Sequence, residues 1–228
     1  MRVSHRYKFI FFSNPKCGSE TIRFMLDSLS DSVGIVEFPK LSAENPFYNH
    51  MLPREARDVF RRLGWQFDDY YKFTTVRDPW TRLASLYSHL RRVRRNAVPP
   101  FPTWLRSIAT DGRGGGGHDS ERWLKHGTYL TRNWVGDETA TPLVDNIFRL
   151  EDIAALPQQL SQRGIPLNPG DDVPKRNVHR YEAADHTPET IVIVAGLYHE
   201  DILRFGYETP KLIVDVSLAQ RDMDDCNA

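Results

Sequence analysis

Residues Tyr7 to Leu26 read YKFIFFSNPKCGSETIRFML, and the order of signals along this stretch decides the fold. Phe9-Ile10-Phe11-Phe12, led by Lys8, is a short unbroken apolar run of the kind that fills a strand buried on both faces. Ser13-Asn14-Pro15 breaks the run, and Lys16-Cys17-Gly18-Ser19-Glu20-Thr21 follows. Ile22, Met25, Leu26 and Leu29 then recur at helical spacing. A strand, a tight polar loop and a helix N-terminus together make an anion site, because the first helical amides lack intrahelical acceptors and the dipole presents its positive end. Gly18 permits close backbone approach, Ser19 and Thr21 bring hydroxyls, and Lys16 brings a full positive charge. This is not a Walker loop. The lysine precedes the glycine, and no Gly-Lys-Ser/Thr occurs in the chain, so the hydroxyl that holds magnesium in that motif has no counterpart.

A second stretch, Tyr70 to Tyr87, reads YYKFTTVRDPWTRLASLY. Tyr71 to Val76 is β-rich and mostly apolar, a second strand. Arg77 stands at its C-terminal end, and Asp78-Pro79 opens a helix whose buried face is marked by Trp80, Leu83, Ala84 and Tyr87. Arg77 and Ser85 lie two helical turns apart and off that apolar face, placed to converge on a second anion. In open α/β sheets ligands bind beyond the carboxyl ends of the strands, where both Lys16 and Arg77 fall. Two anion sites imply a ligand with two separated phosphates.

With both motifs in view, the chain resembles the PAPS-dependent sulfotransferases. NPKCGSETIRFML is similar to their 5′-phosphosulfate loop, and VRDPWTRLASLY to their 3′-phosphate motif, Arg-Asp-Pro-x-x-Arg-x-x-Ser-x-Tyr. The Lys-Cys-Gly form, Phe148-Arg149-Leu150-Glu151-Asp152 and Asp201-Ile202-Leu203-Arg204-Phe205-Gly206-Tyr207 look most like the carbohydrate-type (Golgi-type) branch. The resemblance runs from about Tyr7 to Tyr207 and implies one α/β domain over residues 1–207, with a C-terminal tail over 208–228. The implied architecture is a central parallel β-sheet flanked by helices, with P-loop NTPase-like topology. The implied reaction moves a sulfuryl group from PAPS (3′-phosphoadenosine 5′-phosphosulfate) to a hydroxyl of a carbohydrate or glycosylated small molecule and releases PAP. Lys16 would neutralise the leaving phosphate. Cys17, Gly18, Ser19, Glu20 and Thr21 would complete the 5′ loop, and Arg77 and Ser85 would hold the 3′-phosphate. In relatives a basic loop closes over that phosphate near the position of Lys175-Arg176, which makes those two further donor contacts. No metal is expected, since lysine supplies the charge.

The acceptor side needs a base. His50 precedes a helix expected from Pro53 to Leu63, between the two donor motifs, where some carbohydrate-type relatives place a catalytic histidine. Histidine titrates near neutrality, which suits proton removal from an attacking hydroxyl. The plain alternative is a histidine that packs or caps at a helix start. Glu20 is a rival base, although a carboxylate beside bound phosphates is disfavoured and a helix N-terminus suits it better. His118 and His126 are further rivals; they flank Asp119 to Trp123, where relatives carry an acceptor segment.

Composition is consistent with one enzyme domain. The chain has 228 residues, no formal net charge and a pI near 7.1, so no global field favours nucleic acid or an anionic membrane. Two cysteines, Cys17 and Cys226, make no disulfide framework. No run is long enough to span a membrane, and no apolar segment precedes the first strand. The expectation is a soluble, cytoplasmic protein, bacterial or catalytic-domain-only in form. Arg91 to Arg95 is either a grip for an anionic acceptor or a solvated helix end, and Gly114 to Gly117 is a lid or a connector. Further strands are expected at Ile35 to Phe38 and Val144 to Leu150. Helices are expected at Trp123 to Trp134, at Glu151 to Arg163 with a disturbance at Pro157, and from Pro188, capped by Thr187, with Ile191, Val194, Ala195, Tyr198 and Leu203 inward. Two other functions fit the anion sites: an atypical phosphotransferase using ATP and magnesium, or a non-catalytic binder of PAP or a sulfated glycan.

Overall fold

The computed structural model describes residues 1–31, 38–94, 98–108, 110, 122–168, 170, 173 and 186–210. Its frame is a sheet of order β1-β2-β3-β4, with β1 at Arg2–Ser4, β2 at Phe9–Phe12, β3 at Tyr71–Val76 and β4 at Asn146–Arg149. β2, β3 and β4 run parallel, with Phe11 beside Phe73 and Thr75 beside Phe148. β1 runs antiparallel to β2 and is a short strand that the sequence pattern did not announce. The chain folds back from β1 into β2 with Lys8 at φ 50°.

Alternation along β2 builds two cores at once, because successive side chains of a strand point to opposite faces. Phe9 and Phe11 pack with Ile22 and Leu26 of α1 (Ser19–Leu26) and with Leu156 and Leu160 of α7 (Leu156–Ser161). Ile10 and Phe12 pack with Ala56, Val59 and Phe60 of α2 (Pro53–Arg62). All four β2 residues are fully buried, and each side chain contributes about 1.5–3 kcal/mol by leaving water. A third core joins Trp80, Leu83, Leu86, Tyr87 and Leu90 of α3 (Pro79–Arg94) to α4 (Phe101–Ser107) and α8 (Pro188–Leu197). The architecture is therefore α/β, a mostly parallel sheet flanked by helices.

Several local expectations are revised. The stretch from Trp123 to Trp134 is two short helices, α5 (Arg122–His126) and α6 (Thr131–Val135), with Gly127 in the turn between them. A Cβ at Gly127 would come 3.0 Å from Leu86, so the turn lies close against α3. The final helix also divides: α8 ends at Leu197, Tyr198 leaves helical geometry, and α9 spans His199–Phe205. That break rephases the helix and leaves Leu203 68% exposed rather than inward, and Leu63, beyond α2, is likewise exposed. Thr187 does cap α8, its Oγ1 accepting from the Thr190 amide at 3.2 Å. The segment before α7 is a 3-10 helix, Leu150–Ala155, so β4 stops at Arg149 and Pro157 falls in the first turn of α7, where a proline is tolerated. Residues 32–37, most of the expected early strand, lie outside the described residues, as do Gly114 to Gly117, His118, Lys175, Arg176, Cys226 and all of the tail beyond Pro210.

Candidate active site

The loop between β2 and α1 is shaped by two left-handed residues, Lys16 at φ 63° and Gly18 at φ 75°. At Gly18 the conformation has a packing reason as well: a Cβ there would lie 2.3 Å from Leu150 Cδ1. Gly18 is also the N-cap of α1, whose first-turn amides therefore open onto the loop. The loop is fastened to β3 in both directions. Asn14 Nδ2 donates to Thr75 O at 3.2 Å, and Thr75 Oγ1 donates to Cys17 O at 2.7 Å. Within it, Ser19 Oγ donates to Asn14 O at 2.7 Å and the Cys17 thiol contacts Pro15 O at 3.4 Å. Cys17 is fully buried, which pushes its thiol up to about 11 and keeps it neutral. Ser19 and Cys17 thus brace the loop with their side chains. Glu20 is exposed in the first turn of α1, where its charge meets the helix dipole favourably. Thr21 is buried beside it.

The second motif closes on the first. Arg77, at the end of β3, donates Nη1–H to Lys16 O at 3.4 Å and Nε–H to Thr81 Oγ1 at 3.1 Å. Burial pushes the Lys16 ammonium below the ordinary lysine range, and repulsion from Arg92 and Arg77 adds to the shift. Arg92, although exposed at the end of α3, is near enough for its charge to act on Lys16. The signal was present in the sequence: Thr81, Ser85, His89 and Arg92 recur every three or four residues, one polar stripe along α3. Ser85 sits in that stripe, buried, and Arg92 Nη2 is 2.7 Å from His89 Nδ1. The motif's other arginine, Arg82, points inward, 1% exposed, with Nη2–H on Tyr129 O at 3.0 Å and its guanidinium 5.0 Å from the Tyr198 ring centre. The later segments gather nearby. Glu151 Oε1 accepts from the Asp78 amide at 2.8 Å, and Arg149 lies 4.9 Å from the ring centre of Tyr207. Tyr207 keeps a buried hydroxyl without a hydrogen-bond partner among the described residues, and burial raises its pKa strongly.

His50 reaches the donor loop at its root. Its Nδ1 lies 2.7 Å from Ser13 O, the first residue after β2. A carbonyl only accepts, so Nδ1 carries the proton and Nε2 holds the lone pair, the tautomer a proton acceptor needs. The residue keeps some surface exposure, yet its ring is enclosed closely enough that desolvation lowers its pKa to about 3, against the opposing pull of the Ser13 carbonyl, so the near-neutral titration expected of this histidine is not what burial leaves it. His126, 2% exposed, is 2.9 Å by its Nδ1 from His50 O, so the rival base adjoins His50. Arg23, one turn along α1, is a further neighbour that sequence reading passed over: its charge also depresses His50, and its buried Nη1 has no hydrogen-bond partner among the described residues. Arg77 thus meets the loop at Lys16, His50 meets it at Ser13, and His126 adjoins His50 through the His50 carbonyl. Among the described residues, no helix is long and apolar enough to cross a membrane.

Comparison with known proteins adds one match. The model of the sulfotransferase family covers residues 1–129, a span that holds the donor loop, the Arg77 motif, His50 and His126. No curated protein and no solved structure matches the chain.

Proposed function

The chain belongs to the sulfotransferase family, and from that premise we propose that it transfers a sulfuryl group from PAPS to a hydroxyl of a carbohydrate or glycosylated small molecule. The observation that carries this reading is the Arg77 to Lys16 O contact, which ties two anion-binding motifs 61 residues apart into one cationic site beyond the ends of β2 and β3. The residues fit a donor with two phosphates. Lys16, the loop backbone at Gly18 and the N-terminus of α1 suit the 5′-phosphosulfate, while Arg77 and the Ser85 stripe suit the 3′-phosphate. Lys175 and Arg176 are proposed as further donor contacts on the strength of the motif order alone.

In this mechanism the acceptor oxygen attacks sulfur in line, the new O–S bond forms, and the bond from sulfur to the 5′-phosphate oxygen breaks. The electron pair stays on that phosphate oxygen, where the Lys16 ammonium neutralises it. His50 Nε2 takes the acceptor's proton as the hydroxyl attacks. A fixed cation whose interaction strengthens as the phosphate charge grows accelerates the step, rather than only binding the donor. The proposed setting is cytoplasmic, for which a buried unpaired Cys17 is suited.

Calorimetric titration with PAP, ADP and magnesium-ATP tests the assignment. Wild type should prefer PAP, and Arg77→Ala should weaken PAP by about 10- to 100-fold, the worth of a charge-assisted contact, while scarcely changing ADP. Preference for magnesium-ATP, or PAP binding indifferent to Arg77, would sink the reading.

A further inference from the structure

The residues behind His50 form a continuous support that neither motif describes. His126 ends α5 and is buried between Tyr129 and Trp134, with ring centres at 5.4 and 5.6 Å. The turn that follows it is held from two sides. Arg82 Nη2–H reaches Tyr129 O at 3.0 Å, and the Tyr198 hydroxyl donates to Thr128 O at 2.5 Å. Arg82 and Tyr198 are themselves buried and in contact, in the core of α3 and α8. From this anchored turn, His126 places its Nδ1 2.9 Å from the His50 carbonyl, which assigns the proton to Nδ1 because the carbonyl can only accept. His50 in turn places its ring on Ser13 O at 2.7 Å. Residue 50 is thus gripped at its backbone by one buried histidine and at its ring by the end of β2.

We infer that His126 is a positioning residue for His50, holding its backbone so that Nδ1–H stays on Ser13 and Nε2 remains the proton acceptor. The inference rests on the proposed role of His50 as base. It gives the second arginine of the Arg77–Arg82 motif a task apart from phosphate binding: through Tyr129 it fixes the turn that carries His126. It also separates the two candidate histidines by function, one meeting the acceptor and one orienting the first. Displacing a catalytic group by about 1 Å costs on the order of 100-fold in rate, so support of this kind is visible in turnover.

The test uses full-length protein with ¹⁵N-labelled histidine, His126→Ala and His126→Asn, each also made with His50→Ala. Ring ¹⁵N shifts read the tautomer of His50 directly, without any acceptor. PAP calorimetry monitors the donor site, and turnover is followed with ³⁵S-labelled PAPS and p-nitrophenyl glycosides as probe acceptors. In wild type His50 should carry its proton on Nδ1. His126→Ala should mix the tautomers and lower kcat by about 10- to 100-fold with PAP affinity within about two-fold. Asparagine presents an amide N–H near the place of Nδ1–H, so His126→Asn should restore both. In the His50→Ala background, His126→Ala should cost nothing further, since residues acting as a unit are not additive. If His126→Ala loses PAP binding altogether, His126→Phe fills the same space without donating and is judged by the same outcomes. An unchanged His50 tautomer, no rescue by asparagine, or losses that multiply in the double variant would overturn the inference. Lost turnover in His50→Ala beside a tautomer indifferent to His126 overturns this inference alone. Full turnover in His50→Ala overturns the base assignment as well.

Discussion

The donor loop and the His50 shelf meet at Ser13, yet they are assembled in opposite ways. The loop is nearly all local: residues 13–21 are consecutive, and its working parts are a lysine, backbone amides and a glycine in a left-handed conformation. The shelf is nearly all long-range, with Ser13, His50 and His126 bridged by contacts that span 37 and 76 residues. The loop concentrates charge: burial depresses Lys16, and repulsion from Arg92 and Arg77 adds to the shift. On the shelf, burial keeps the His50 ring neutral and the Ser13 carbonyl settles which ring nitrogen carries its proton. The loop's own conformation is thus built from contiguous sequence, whereas the setting of His50, like the approach of Arg77 to the loop, depends on the fold around it.

This contrast is sharpest at Lys16. Lys16→Ala should lower turnover by about 100- to 1000-fold, as removal of a charge-stabilising donor does, with a smaller loss of PAP affinity. Steady-state kinetics beside calorimetry would check the split, and equal losses would reduce Lys16 to a binding residue. Gly18→Ala is the next test, because it attacks the loop's conformation without touching its charge. A non-glycine residue at φ 75° costs about 1–2 kcal/mol, and Leu150 must also move from the new Cβ. A lower Tm, with a part of the loss recovered when Leu150→Ala is added, is expected; no change in Tm would mean the loop relaxes freely.

The smallest effect concerns acid. His50 has a folded pKa of about 3 against an ordinary 6.5, so an unfolded chain takes up a proton that the folded one refuses. Its contribution to stability is present above pH 6.5 and is lost progressively as pH falls from 6.5 towards 3. His50→Gln should flatten the dependence of Tm on pH across that window relative to wild type. An identical slope in the two proteins would show that the shelf does not enforce a neutral ring.

Legibility followed contact range. β2, the loop, β3 and the start of α3 could be read because their signals lie within one strand–loop–helix unit, where apolar runs and helical spacing report burial directly. The stripe of Thr81, Ser85, His89 and Arg92 was equally local, but a run of arginines hid it by looking like a solvated helix end. β1 was missed because three residues carry too little periodicity to announce a strand. The division of the last helix at Tyr198 was missed because α8 and α9 share a nearly continuous apolar spacing. Tyr198 is held by its hydroxyl on Thr128 O and by Arg82 over its ring, neither visible in local pattern.

By itself the sequence determined the α/β class, the strand–loop–helix unit around Lys16 and Gly18, and the place of Arg77 at the end of β3, because backbone geometry and side-chain period act over a few residues. Only the tertiary structure decided which polar side chains turn inward to brace the loop and the turn behind it. Ser19 and Cys17 turn inward to fasten the loop, Arg82 turns inward to fasten a turn, and His126 stands behind His50. The reason is that a buried polar group must find a partner wherever the packed chain places one, and that partner is seldom near in sequence.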